Sequence, residues 1–389
     1  MIRILVLSFY YIPDVGPAPR RVAGLVSALA EALPDDCVIQ VFTTHPNRYL
    51  SHQPNAVDDE QDRMISVRRF TIPRHSGTMW SQAISYFYFV YKVINNCRRS
   101  DWDVVFATSS RLMTAILAFM VAKKASAKLY LDIRDLFSDT IGHVVGGVFS
   151  RFLGSIVRSI EKFILRKADK VNVVSEGFIP YLAKYMDTDR ISCHTNGIDD
   201  LFLGARFAKK YRGNEVLYAG NIGEGQGLHH VIPEAAEFLA QDALFNVVGD
   251  GSAASLLARS VKNKKLDNVV LIPTVSPHDL LDYYQRADIL LLHLNDYEAF
   301  QKVLPSKIFE YAATGKPILA GVSGYAKKFL QDYVPGVVFF NPCDSRALIE
   351  GLMKIRRGPT HFDRSQFCLD YARQRINMRM AKDVISLLG

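Results

Sequence analysis

The stretch AFQKVLPSKIFEYAATGKPILAG, Ala299 to Gly321, holds three side chains whose spacing bears on chemistry: Ser306, Lys307 and Glu310. Pro305 suits a first helical turn, so Ser306 and Lys307 fall at a helix start. Glu310 lies one turn further in, on the same side by i, i+3 and i, i+4 spacing. Free backbone N–H groups at such a start, with a hydroxyl and an ammonium beside them, fit phosphate oxygens. A carboxylate one turn on can accept two hydrogen bonds, which is what a ribose diol supplies. The competing reading is a surface Lys307–Glu310 pair worth about 0.2–0.5 kcal/mol. The apolar neighbours Ile308, Phe309, Tyr311, Ala312 and Ala313 argue against a freely solvated face.

Other candidates also follow strand-like runs. After EVLYAG comes NIGEGQGL, where Gly220, Gly223, Gly225 and Gly227 punctuate a loop that opens a helix. Glycines let N–H groups approach an anion closely, although an ordinary glycine-rich turn would read the same way. After LFNVVG, the run Gly249-Asp250-Gly251-Ser252-Ala253-Ala254 matches a loose dinucleotide fingerprint. That fingerprint wants an acid at the tip of the next strand; this one ends VVLIPTV, which disfavours a nicotinamide enzyme. In the first half, DIRDLFSDTIGH carries Asp132, Arg134, Asp135, Asp139 and His143, either a hydroxyl-binding site or a polar loop with a local Arg–Asp pair. In YYIPDVGPAPRR, Gly16 with Arg20 and Arg21 could meet a phosphate or simply make a tight turn and a solvated helix end.

The elements that must position these residues alternate along the chain. Strand-like runs RILVLSF, VIQVFTT, ISVRRFT, DVVFAT, KLYLDI, KVNVVS and RISCHTN are separated by helical patterns at 20–33, 80–97, 111–124, 148–167 and 176–186. The alternation restarts with EVLYAG, LFNVVG, VVLIPT, DILLLHL, KPILAG and GVVFF. Such a pattern predicts two successive α/β domains, each a doubly wound parallel sheet covered on both faces. A chain of 389 residues suits two cores rather than one. The expected division is 1–200, 213–363, and a last helical segment at 364–389, with DDLFLGARFAKKYRGN as linker. In such sheets ligands sit beyond the carboxyl ends of strands.

Composition narrows the class. Hydrophobic and charged fractions of 49% and 22% are those of a soluble globular enzyme. Five scattered cysteines suggest neither a disulfide framework nor a zinc site and fit a reducing compartment. The N-terminal MIRILVLSFYYIPD reads as a first strand and not a signal peptide. Between Met64 and Lys170 there are 17 Lys/Arg against 7 Asp/Glu, so the first half should face something anionic. Nucleic acid is the weaker choice, because no recognition motif appears. On 148–167, Phe149, Phe152, Ile156, Ile160 and Phe163 form a stripe opposite Arg151, Ser155, Arg158 and Lys162. The segment 80–97 is aromatic, with Trp80, Tyr86, Phe87, Tyr88, Phe89 and Tyr91. Helices of these kinds suit either a headgroup layer or a core with a solvated basic face.

Taken in order, YYIPDVGPAPRR, DIRDLFSDT, ADKVNVVS, NGID, YAGNIGEGQGL, VVGDG, RADILLLHL and PSKIFEYAATGKPILAG make the chain resemble retaining GT-B glycosyltransferases of family four. Within that group it is similar to the bacterial O-antigen and capsule transferases, such as the N-acetyl-fucosamine transferases. The resemblance implies two Rossmann-like domains facing across a cleft, the first for the acceptor and the second for the nucleotide-sugar, with a C-terminal helix crossing back. It implies that Glu310 holds ribose, and that Gly220, Asn221, Gly223, Gln226, Gly227, Val303, Leu304, Ser306 and Lys307 surround the diphosphate. Gly249, Asp250, Gly251, Thr274 and Val275 would flank the base. Gly16 would lie on the donor-sugar side, and Arg20, Arg134, Asp135, Asp139 and His143 on the acceptor side, with Asp135 catalytic. The chain departs from the family at Asn221 and Gln226, where many members carry Arg and Lys, and at Lys302, where the first glutamate of a paired motif usually stands. Lys302 and Lys307 are expected to restore the missing charge.

The function so implied is transfer of a sugar, with retention, from a UDP-sugar to a lipid-linked (polyprenyl diphosphate) saccharide. It would take place on the inner face of the bacterial cytoplasmic membrane, in O-antigen, capsule or exopolysaccharide synthesis. No cofactor and no metal are expected, and the basic first domain would meet the anionic membrane surface. The alternatives are a nucleotide-sugar epimerase of the same build, or a non-catalytic sugar-nucleotide-binding scaffold.

Overall fold

A computed structural model describes every residue except 15, 48–54, 74–78, 98–101, 110–111, 137–147 and 208–212. The chain forms two compact units, one of residues 1–196 and 374–389, the other of residues 197–373.

In unit 1 the strands are β1 (Arg3–Leu7), β2 (Val38–Thr44), β3 (Asp59–Asp62), β4 (Ile65–Phe70), β5 (Val104–Ser109), β6 (Lys128–Ile133), β7 (Lys170–Val173) and β8 (Ile191–Cys193). They lie in the order β3-β4-β2-β1-β5-β6-β7-β8. All pairings are parallel except β3 with β4. The central strands are apolar runs buried on both faces, as covered parallel strands must be. Strand β3, sequence DEQD, is fully exposed and escapes a reading by hydrophobicity; it is a charged edge of the kind that discourages further pairing.

The helices Met79–Asn96, Leu112–Ala125 and Val148–Lys167 carry the chain from β4 to β5, β6 and β7 in turn. All three crossovers step the same way along the sheet, so right-handedness puts them on one face. The Pro17–Ala32 helix steps the other way and covers the opposite face. The final helix, Arg373–Ile385, packs there too: Met380, Ala381 and Val384 join Val22, Leu25, Val26 and Leu29 in one buried cluster. Gly24 makes room for it, since a Cβ there would sit 2.1 Å from Asn377 Nδ2.

In unit 2 the strands are β9 (Glu215–Ala219), β10 (Leu244–Val248), β11 (Val269–Ile272), β12 (Ile289–His293), β13 (Ile318–Gly321) and β14 (Val337–Phe340). Their order is β11-β10-β9-β12-β13-β14, all parallel, which is the doubly wound dinucleotide-fold order.

Three boundaries differ from the sequence expectation. The supposed linker begins inside unit 2, where the Asp200–Leu203 turn buries Phe202 against Tyr284 at 5.3 Å. The segment from Arg364 to Arg373 also stays in unit 2: the buried Arg364 guanidinium donates to the carbonyls of Pro335 and Lys316, which pins it there. The single helix expected at 176–186 shrinks to the Ile179–Leu182 turn behind a 3-10 turn at Glu176–Phe178.

Candidate active site

Strand order in unit 2 reverses between β9 and β12, where such sheets open a ligand crevice. The two strands pair in register at Val216–Ile289 and Leu217–Leu290. Further on, the buried Tyr311 hydroxyl bridges them, accepting from Ala219 N at 3.2 Å and donating to Leu291 O at 3.1 Å. Tyr311 belongs to the Lys307–Ala313 helix, so this bridge sets that helix's position at the switch point.

The glycine loop leaves β9 at this point. Its backbone is tied to the loop after β10, with Gly220 N donating to Val248 O and Ile222 N to Asp250 O, each at 2.8 Å. Gly227, left-handed at φ 56°, closes the loop ahead of the Leu228–Phe238 helix, and a Cβ there would lie 2.0 Å from Asn295 Oδ1. The expected donor contacts Asn221 and Gln226 are joined to each other: Asn221 Nδ2 donates to Gln226 Oε1 at 2.6 Å, and Gly223 N to the same oxygen at 3.1 Å. They brace the loop where cationic side chains were to be replaced.

Two residues at the end of β12, His293 and Asn295, hold the far side of that loop and were missed from sequence. His293 Nδ1 lies 2.6 Å from Gln226 O, and its Nε2 accepts from Cys343 N at 2.9 Å, which makes Nδ1 the protonated nitrogen. Burial pushes this imidazole down to about 4, so it is neutral. Asn295 N donates to Gly225 O at 2.9 Å, and Asn295 Nδ2 donates to Glu224 O. Three consecutive loop carbonyls are thus engaged by the end of one strand. A His and an Asn immediately after an apolar strand run were the signal available in DILLLHLN.

Lys307 crosses beside Gly220. Its ammonium donates to Tyr218 Oη at 2.9 Å and stands 4.6 Å from that ring's centre, and Tyr218 in turn donates to Asn221 O at 2.6 Å. A Cβ on Gly220 would come within 2.2 Å of Lys307 Cε. Glu310 accepts from Tyr284 Oη at 3.0 Å through Oε2. Both charged side chains keep part of their surface in solvent while protein atoms crowd their heads. Burial pushes the Lys307 ammonium down to about 8, against the opposing pull of Glu310. Burial raises the Glu310 carboxyl, with the Tyr284 hydrogen bond acting against it. Each group is held where its charge costs free energy and a complementary ligand would recover it.

Around this pair, the Glu298–Lys302 turn leans on the glycine loop through Phe300, whose ring would lie 2.4 Å from a Cβ on Gly225. Lys302 is half-buried at the end of that turn, followed by half-buried Val303 and buried Leu304, and half-buried Ser306 precedes the Lys307–Ala313 helix. Gly249 packs its α-carbon onto Gly220 O, where a Cβ would lie 1.9 Å away, and Asp250 Oδ1 accepts from Gly251 N at 2.7 Å. Exposed Thr274 and half-buried Val275 follow β11, whose end is tied to Gly249 by an N–H···O bond to Ile272 at 2.9 Å. The glycine loop, the 249–251 loop, Lys307 and Glu310 therefore gather at one end of the sheet. A cavity of about 560 Å³, lined by Phe202, Phe207, Gly315 and Phe362, is separate; Gly315 precedes β13, so it opens at the other end.

In unit 1, strand order reverses between β1 and β5, and a narrow crevice there is lined by Ser8, Phe9, Tyr10, Ala18, Thr108, Thr114 and Arg134. Gly16 (φ 142°) and half-buried Arg20 lie at the start of the Pro17–Ala32 helix; Asp135 is exposed just past β6. Asp139 and His143 fall outside the described residues, as do the side chains of Trp80, Phe149, Arg151 and Phe152. Arg21 and Asp132, candidates for phosphate and hydroxyl binding, are instead a buried pair. Arg21 Nε and Nη2 meet the two carboxylate oxygens at 2.9 Å each, Thr108 and Asn172 donate to the same carboxylate, and Arg21 also donates to Thr195 O and His194 O. They knit strands to helix and are shut off from solvent, Arg21 at 1% and Asp132 at 0% exposure.

Comparison with known proteins agrees with this architecture in both units. Residues 18–197 match the Glycosyl transferase 4-like domain, and residues 205–375 match Glycosyl transferases group 1. WcaI of Escherichia coli (strain K12), named as a colanic acid biosynthesis glycosyl transferase, is 25% identical over 282 residues, covering 68% of this chain and 69% of its own. Among solved structures, a sucrose-phosphate synthase from Thermosynechococcus elongatus superposes with a TM-score of 0.68 at 17% identity, over 100% of this chain and 95% of its own. Anabaena HepE, solved with UDP-glucose, superposes with a TM-score of 0.61 at 14% identity, over 100% and 97%. At these identities the solved structures speak for the fold alone.

Proposed function

Because the chain is a glycosyltransferase of the GT-B architecture, its halves matching the 4-like and group 1 families, we propose that it moves a sugar, with retention, from a UDP-sugar to a lipid-linked saccharide. The observation that carries this reading is the pairing of Lys307 and Glu310 on one short helix at the switch point of unit 2, beside a glycine loop.

Unit 2 takes the donor. Glu310 accepts the ribose hydroxyls. The N–H groups of the 220–227 loop and the Lys307 ammonium surround the diphosphate, with Lys302 adding charge from the neighbouring turn. As the bond from the anomeric carbon to the diphosphate oxygen breaks, negative charge grows on that phosphate, and fixed donors in a crowded site lower the barrier. The acceptor hydroxyl attacks the anomeric carbon from the face the diphosphate leaves, and its proton passes to the departing phosphate oxygen. With ammonium and amide groups compensating the charge, the reaction needs no metal. The segments of unit 1 that hold Arg20, Arg134 and Asp135 are assigned to the acceptor. WcaI's naming for colanic acid synthesis supports a place in bacterial surface polysaccharide assembly. We assign that step to the inner face of the cytoplasmic membrane and take UDP as the nucleotide, as in HepE, a protein of the same fold solved with UDP-glucose.

A thermal-shift screen against UDP-, GDP- and ADP-sugars tests the donor class: stabilisation by UDP-sugars is expected. Transfer from the selected donor to polyprenyl diphosphate saccharides should then proceed unchanged in EDTA and give the retained anomer. Conversion of the free nucleotide-sugar without any acceptor would mean an epimerase and end the proposal.

A further inference from the structure

The helix Met79–Asn96 is apolar on both sides. Tyr86, Phe89 and Val93 are buried, and Phe89 packs against Phe9 and Phe70. On the outward side Ile84, Phe87, Tyr88 and Tyr91 stand 50 to 63% exposed at i, i+3, i+4 and i+7. A surface helix of a water-soluble domain ordinarily puts polar residues there, and a contiguous apolar stripe marks a surface that something covers.

The neighbouring helices extend it. Leu112–Ala125 exposes Met120, and Val148–Lys167 exposes Ile156 and Phe163, the last lying edge-on to Phe119 at 5.4 Å across the two helices. The burial pattern corrects the sequence reading of Val148–Lys167: Glu161, Ile164 and Leu165 face the core, whereas Ile156 and Phe163 of the expected stripe face outward.

Charge identifies what covers this face. The three helices together carry eight Lys and Arg and one acid, Glu161. That acid is buried, accepting from Tyr181 Oη at 2.6 Å, so the described surface of these helices shows bases and no carboxylate. Lys124 closes the end of the aromatic helix, donating to Ile94 O and Cys97 O, and Lys162 lies over the Tyr185 ring. Lys92, Lys123 and Arg158 are exposed. Rings and aliphatic tips on a helical face, flanked by cations, suit the headgroup boundary of an anionic bilayer. No helix among the described residues is long and apolar enough to cross a membrane.

We infer that unit 1 docks on an anionic lipid bilayer through this three-helix face, with Phe87, Tyr88 and Tyr91 entering the headgroup layer. The inference deepens the reading above, relying on its lipid-linked acceptor for purpose while the surface stands on unit 1 alone.

Vesicle flotation of the full chain tests it, with phosphatidylglycerol-containing and pure phosphatidylcholine vesicles at low and high salt. Binding is expected only to the anionic vesicles and should weaken with salt. Combining Phe87→Ser, Tyr88→Ser and Tyr91→Ser should lower partitioning at least tenfold. Lys92→Gln with Lys123→Gln should lower it roughly thirtyfold, at about 1 kcal/mol per base. All five positions are exposed, so melting temperature and UDP binding should stay at wild-type values; loss of vesicle binding with UDP binding intact separates this surface from the donor site. Equal binding to uncharged vesicles, wild-type binding by the serine variant, or a dimer that the serine variant dissociates without any vesicle binding would each overturn the inference. A short oligonucleotide retained in preference to vesicles would do the same.

Discussion

Replacing Glu310 by Gln is the sharpest test of the donor site, because stability and binding should move in opposite directions. The carboxylate spends one acceptor position on the Tyr284 hydroxyl at 3.0 Å, and its remaining positions are those proposed for ribose. Glutamine keeps an acceptor for Tyr284 but turns the other oxygen into a donor without charge. One charge-assisted hydrogen bond is then lost, about 1.5–3 kcal/mol, or roughly 10–150-fold in the Kd for UDP. For the ligand-free protein the sign reverses. Burial raises the carboxyl in the folded state, so above the ordinary Glu range the folded chain holds a proton that the unfolded chain has released. This group's contribution therefore declines as pH rises through that interval, and Glu310→Gln removes the decline. Titration calorimetry with UDP, with melting curves at pH 5 and pH 8, reads both effects. Weaker UDP binding with equal or higher stability at pH 8 is expected. An unchanged Kd would refute the placement of ribose on Glu310, and a destabilised variant with normal binding would make the residue purely architectural.

Lys307 should impart a pH dependence to UDP binding: with the ammonium held at about 8, affinity falls as pH rises through 8 in the native chain, and calorimetry on Lys307→Met should give a weaker, flatter profile. Its effect on folding has the opposite slope, because between pH 8 and the ordinary Lys range the unfolded chain binds the extra proton and stability rises with pH. Gly220→Ala places a Cβ 2.2 Å from Lys307 Cε on a backbone at φ 139°, a strain of about 1–3 kcal/mol. It should lower the melting temperature and weaken UDP binding by displacing the lysine. Asp132→Ala leaves the buried Arg21 guanidinium without its counter-ion and should cost about 3–5 kcal/mol, seen as a lower urea midpoint. UDP binding should survive where the protein remains folded; the reverse pattern would make Asp132 a ligand group.

Legibility followed the range of the forces involved. The parallel strands were readable because double-sided burial demands unbroken apolar runs such as RILVL and ILLLH, whereas β3 was not, because its residues are set by a partner strand and contain no apolar signal. Ser306, Lys307 and Glu310 could be picked from helical spacing alone. Arg21 and Asp132 looked like ligand groups because nothing local to either announces that they meet across 111 residues. Asn221 and Gln226 read as donor contacts, and nothing in their spacing announced that they also hydrogen-bond to each other. His293 and Asn295 became meaningful only once the end of β12 lay beside the glycine loop.

Periodicity and spacing along the chain thus determine two doubly wound sheets, the positions of the glycine turns, and a short helix bearing a lysine and a glutamate one turn apart. These are local properties, fixed by backbone sterics and by the burial each strand or helix needs. Tertiary packing decided which charges stay available. It paired Arg21 with Asp132 and set Lys307 against Tyr218. It gave Glu310 a single tyrosine partner, and it turned one side of the Met79–Asn96 helix outward. A charged group's role depends on what stands within a few ångströms of it, and only the folded chain sets those distances.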